Sequence, residues 1–81
     1  MHGDNGFFST KSLRLAATLQ AVGFSLDSWE WRGRECFFRF RDRDGRLDET
    51  IRAFYARELR LDPAALFDAV DALREILRAH R

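Results

Sequence analysis

The sequence predicts a small α+β domain, a β-hairpin packed against three helices in the order α-β-β-α-α. Three observations predict it. Apolar residues recur at helical spacing in three separate segments, an alternating run from Cys36 to Arg41 sits between them, and Gly23, Gly33, Gly45 and Asp62-Pro63 punctuate the boundaries. The 81 residues fit one domain covering 1–81, with residues 1–6 expected to fray.

Thr10 is placed to N-cap the first helix, its hydroxyl accepting from the orphan N–H groups of the first turn. Leu13, Leu15, Ala16, Ala17, Leu19 and Val22 follow at mostly helical spacing, and Gly23 ends the helix, the usual residue for the left-handed position there. Phe8, ahead of the cap, is expected to pack back on the helix or to add a short strand.

Strands are predicted over Leu26 to Trp31 and Arg34 to Arg41, joined by a tight Arg32-Gly33 loop. In the second strand Cys36, Phe38 and Phe40 point one way and Phe37, Arg39 and Arg41 the other. The first set is the core face. Asp42 to Gly45 reads as a polar turn.

Leu47, Ile51, Phe54 and Tyr55 mark an amphipathic second helix, with Asp48 and Glu49 suited to its positive N-terminal end. Asp62-Pro63 starts the third, with Asp as N-cap and Pro at the first helical position, where a missing N–H costs nothing. Leu66, Phe67, Val70, Leu73, Ile76 and Leu77 form its apolar stripe, and Arg78, His80 and Arg81 suit its negative end.

Composition excludes several classes. A 46% hydrophobic and 33% charged chain with eight Phe, two Trp and one Tyr is that of a globular domain. The lone Cys36 rules out an intrachain disulfide and fits a reducing compartment. No segment has the pattern of a signal peptide or the ~20 apolar residues of a membrane span, so a cytoplasmic location is expected. Net charge is +1, but residues 32–46 carry six arginines against Glu35, Asp42 and Asp44. That local excess points to an anionic partner, yet falls short of a strongly basic nucleic-acid binder.

The stretch F-S-T-K-S-L-R-L-A-A-T-L-Q-A-V-G, Phe8 to Gly23, resembles the F-x-T-x-D-x-x-L-A-A-x-L-x-x-x-G opening of a small bacterial family of domains of unknown function. The resemblance continues through the hairpin with its central Gly33, Phe38-x-Phe40, the R-x-F-Y of Arg52 to Tyr55 and the L-D-P-x-x-L-F of Leu61 to Phe67, and so spans nearly the whole chain. These motifs are caps, turns and core positions. Ser12 stands where that family often has Asp, which removes any role for an acid there. The resemblance implies a small bacterial or mobile-element protein and no particular activity.

Catalysis needs convergent groups in a cleft, and the sequence offers none. His2 and His80 lie near the two ends, and Cys36 on the inward face of a strand behaves as a small hydrophobe. Asp42, Asp44, Gly45 and Asp48 faintly echo a calcium loop, but counting from Asp42 puts Leu47 and Ala53 where Gly and Glu belong. One Cys and two distant His do not make a zinc site. No enzyme activity, metal or cofactor is expected. Asp68, Asp71 and Glu75 share much of one face of the last helix, ordinarily a solvated face and otherwise a contact for a basic partner.

The hairpin carries the candidate site. With helices on one side of the sheet, the other is expected to present Trp31 and Phe37 beside Arg39 and Arg41, with Arg34 near the turn. Three readings compete. Two copies or a foreign protein pair through an apolar-centred face; bases stack on the aromatics while guanidinium groups hold phosphates; or Trp31 and Phe37 merely cover each other while the arginines snorkel. The first leads: a non-enzymatic binding module acting through protein–protein interaction, self-association included, with nucleic-acid binding as the alternative.

Overall fold

The computed structural model describes residues 6–42 and 45–79. Among them the order is β1 (Phe7–Thr10), α1 (Leu13–Ala21), β2 (Leu26–Arg32), β3 (Glu35–Arg41), α2 (Leu47–Tyr55) and α3 (Pro63–Ala79). The α+β class holds, and the short strand left open ahead of the first helix is formed.

The three strands make one antiparallel sheet in the order β1-β3-β2. Because β1 and β2 both pair antiparallel with β3, they run in the same direction, and α1 crosses from one sheet edge to the other. A crossover of this kind needs an intervening helix, which α1 supplies. The register places Phe8 opposite Phe40 and Thr10 opposite Phe38 in β1, and Trp29 opposite Phe38 and Trp31 opposite Cys36 in β2. Directly opposed residues share a face. All of these therefore lie on the side that packs against the helices.

The core sits on that side. Cys36, Phe38 and Phe40 from β3 bury against Leu15, Ala16, Ala17 and Leu19 of α1, Leu47 of α2, and Ala69 and Leu73 of α3. The small Ala16-Ala17 pair lets a helix approach closely, and α1 packs against both α2 and α3. The expected inward set of β3 is thus the buried one. In α3, Leu66, Val70, Ile76 and Leu77 flank the core as expected, but Phe67 is exposed. With Ala69 and Leu73 at the centre of its buried stripe, Phe67 falls off that stripe.

Helix ends follow local chemistry. Ser12, not Thr10, is the N-cap of α1: its Oγ accepts the Leu15 N–H at 3.1 Å. Thr10 closes β1 and its Oγ1 accepts the Ser12 N–H at 3.0 Å, so the two hydroxyls act in sequence to turn strand into helix. Gly23 takes φ 113° just beyond α1, where the Phe24 N–H reaches the Leu19 carbonyl at 2.9 Å. Asp62 caps α3 as predicted, accepting the Ala65 N–H at 3.3 Å. The start of α2 has no cap from its own flanking residue; Asp42 Oδ1 accepts the Leu47 N–H from five positions earlier at 3.3 Å.

Two boundaries differ from expectation. The hairpin loop is Gly33-Arg34 rather than Arg32-Gly33, with Arg32 opposite Glu35 and Gly33 at φ 63°. Arg32 is therefore a strand residue. Gly6, expected to fray, is tied to the sheet by its carbonyl, which accepts the Asp42 N–H at 3.1 Å. Residues 1–5 of the expected frayed end, and His80 and Arg81 of the helix terminus, lie outside the described residues. No helix among the described residues is long and apolar enough to cross a membrane.

Candidate binding face

The side of the sheet away from the helices is built by strand alternation. β3 contributes Glu35, Phe37, Arg39 and Arg41, β1 contributes Phe7 and Ser9 opposite Arg41 and Arg39, and β2 contributes Ser28, Glu30 and Arg32. A bulge between Leu26 and Ser28 lets Leu26 turn inward opposite Phe40 while Asp27 is displaced outward.

Arginines lie over both aromatics of this face. The Arg39 and Arg41 guanidinium carbons are 3.9 and 5.0 Å from the centroid of Phe7, and that of Arg32 is 4.6 Å from the centroid of Phe37. All three separations fall within cation–π reach. Phe7 remains 41% exposed despite the two arginines above it. Carboxylates stand among the cations: Arg41 pairs with Asp27 at 3.6 Å, Arg32 with Glu30 at 3.5 Å, and Lys11 with Glu35 at 2.7 Å. Arg39 has no ion-pair partner among the described residues.

Of the expected site residues, Phe37, Arg39 and Arg41 come together here. Arg34 occupies the hairpin loop, where it helps to line a cavity of about 240 Å³ with Lys11, Leu13 and Cys36. Trp31 does not belong to the face. It opposes Cys36 and packs against the core. The physical reason is parity: a two-residue loop at either Arg32-Gly33 or Gly33-Arg34 sets odd-numbered β2 positions against even-numbered β3 positions, and the even positions of β3 are the buried ones. Trp31 and Phe37 are thus not a cross-strand pair; Glu30 opposes Phe37.

Phe7, Asp27 and Arg32, like Ser9, Ser28, Glu30 and Glu35, belong to the face but were not among the expected site residues. Phe7 depends on a four-residue strand too short for its alternation to be legible. Arg32 was assigned to the loop, and Asp27 reaches the face only through the bulge.

Reactive chemistry is sparse. Burial pushes the Cys36 thiol up from its ordinary pKa, which suppresses the nucleophilic thiolate. No group of three or more His, Cys, Asp or Glu able to hold a metal ion occurs among the described residues. Asp68, Asp71 and Glu75 are exposed on α3, and Glu75 pairs with Arg78 at 2.6 Å.

Comparison of the chain with family models, with curated proteins and with solved structures finds no match.

Proposed function

We propose that the domain is a non-enzymatic interaction module that docks a protein through its uncovered sheet face, and that a second copy of the chain is the partner whose chemistry fits. The observation that carries this reading is the charge balance around the covered aromatics. Arg32, Arg39 and Arg41 share the face with Asp27, Glu30 and Glu35. A face of mixed sign can meet its own copy about a twofold axis, cation to anion, with Phe7 and Phe37 at the centre. Aromatics and arginines are also the residues that dominate interface energetics.

The area available sets the strength. Three strands ~4.8 Å apart and at most seven residues long offer roughly 15 by 23 Å. That is below the ~800 Å² per partner of stable complexes, so the association belongs to the weak, transient class. Sedimentation equilibrium over a wide concentration range tests it, with Phe7→Ala expected to shift the equilibrium toward monomer.

Nucleic-acid binding is the second reading, favoured by the absence of an ion-pair partner for Arg39 and by the exposed loop position of Arg34. Two phosphate contacts to a single strand give a slope of log K against log salt of about −1.4. The inward position of Trp31 removes the broadest stacking platform from this face, which weighs against it. A reducing, cytoplasmic setting suits the single buried Cys36, and the bacterial family that the Phe8 to Gly23 motif resembles stays part of the same proposal.

A further inference from the structure

On the helical side of the molecule the end of α2 approaches the start of α1 and leaves a cavity of about 480 Å³, lined by Ser12, Arg14, Phe54, Tyr55 and Arg57. That volume lies within the range of small-molecule sites. No carboxylate lines it. Ser12 Oγ accepts the Leu15 N–H in capping, and the cationic chemistry of the cavity belongs to the two arginines.

Neither Arg14 nor Arg57 has an ion-pair partner among the described residues, whereas Arg32, Arg41, Arg52 and Arg78 each have one. Two guanidinium groups without ion-pair partners at one cavity favour an anion there. Arg57 is also where the backbone least favours a side chain. The Arg57 N–H donates to the Phe54 carbonyl at 3.1 Å and the Glu58 N–H to the Ala53 carbonyl at 3.0 Å. This is the closing motif that ends α1, yet there Gly23 takes the left-handed position and here Arg57 does, at φ 61°. It is the only non-glycine among the described residues with positive φ. Glycine would serve the backbone better at this position.

The remaining wall is aromatic. Tyr55 is 67% exposed, and its ring meets Phe54 edge to face at 5.1 Å. We propose that this cavity binds a phosphate monoester carried on a planar ring, the chemistry of a nucleoside monophosphate. Arg14 and Arg57 take the phosphate through their planar donor forks, and Tyr55 and Phe54 take the ring. The site lies apart from the sheet face and stands or falls independently of it.

The test is titration of the full chain with adenosine monophosphate, adenosine and inorganic phosphate, followed by amide chemical shifts, on the wild type, Arg14→Gln and Arg57→Gly. The expected result is binding of the monophosphate with shifts concentrated at Arg14, Tyr55 and Arg57, and at least about tenfold weaker binding of either fragment. Arg57→Gly is expected to lose at least about tenfold in affinity while its thermal midpoint rises, which separates ligand binding from a structural role. Arg14→Gln is expected to lose affinity similarly. No binding at millimolar monophosphate, phosphate alone binding as tightly, shifts centred on Arg39 and Arg41, or full affinity in Arg57→Gly would each overturn the proposal.

Discussion

The guanidinium carbon of Arg39 sits 3.9 Å from the centroid of the Phe7 ring, joining the middle of β3 to the first strand across the uncovered face of the sheet. Arg39 opposes Ser9, whereas Phe7 opposes Arg41, so the contact is diagonal. Diagonal neighbours on a sheet are within reach of long side chains. At a partly exposed site a cation–π contact is worth ~0.5–1 kcal/mol. A double-mutant cycle of Arg39→Ala and Phe7→Ala, read by urea denaturation, is expected to show a coupling energy of that size.

Phe38 is fully buried under α1 and α3, and Phe38→Ala is expected to cost ~3–5 kcal/mol, the usual range for a core Phe truncation. Domains of this kind are stable by only ~5–15 kcal/mol in total, so the variant should approach global unfolding in a denaturant melt. Phe37→Ala, on the opposite side of the same strand, is expected to cost clearly less.

Ser12→Ala is expected to destabilise by ~1 kcal/mol, because the Leu15 N–H loses its side-chain acceptor. Thr10→Ala removes an acceptor for the Ser12 N–H but leaves the cap itself in place, and should cost less. Thermal melts of the two variants separate the roles.

Arg57→Gly relieves the left-handed strain at the end of α2 and is expected to stabilise by ~0.5–1 kcal/mol. In a domain of this size that corresponds to a rise in Tm of roughly 2–8 °C by scanning calorimetry.

Burial raises the Cys36 thiol pKa in the folded protein above that of the unfolded chain. The native state therefore holds the proton more tightly, and the contribution to stability is full below the unfolded thiol's pKa of ~8.5 and is lost as pH rises through the folded value. Urea midpoints measured from pH 7 into the alkaline range are expected to fall more steeply for the wild type than for Cys36→Ala.

The buried side of the domain was legible because its signals are redundant. Alternation through Cys36, Phe38 and Phe40, the Asp62-Pro63 helix start and Gly23 each rest on short-range chemistry that burial then reinforces. The outer face was legible only in β3, where Phe37, Arg39 and Arg41 were placed correctly. Trp31 was misplaced although the hairpin parity that puts it inward is implicit in any two-residue loop at Gly33. Its aromatic character gave no sign of side, since β2 carries two tryptophans at alternate positions and both face the helices. Phe7 became part of the face through a long-range pairing with β3, which no local pattern records. Arg57 left no sign of its left-handed backbone, because that conformation is signalled by glycine and here no glycine is present.

On the proposed function, the sheet face carrying Phe7, Phe37 and Arg39 joins two copies of the chain. Sedimentation equilibrium of the wild type and of Phe7→Ala, from micromolar to about millimolar concentration, tests it most directly. The expected result is a wild-type mass that rises from monomer toward dimer, with the transition displaced to higher concentration in the variant. A wild type that stays monomeric throughout, or a dimer indifferent to Phe7→Ala, would contradict it.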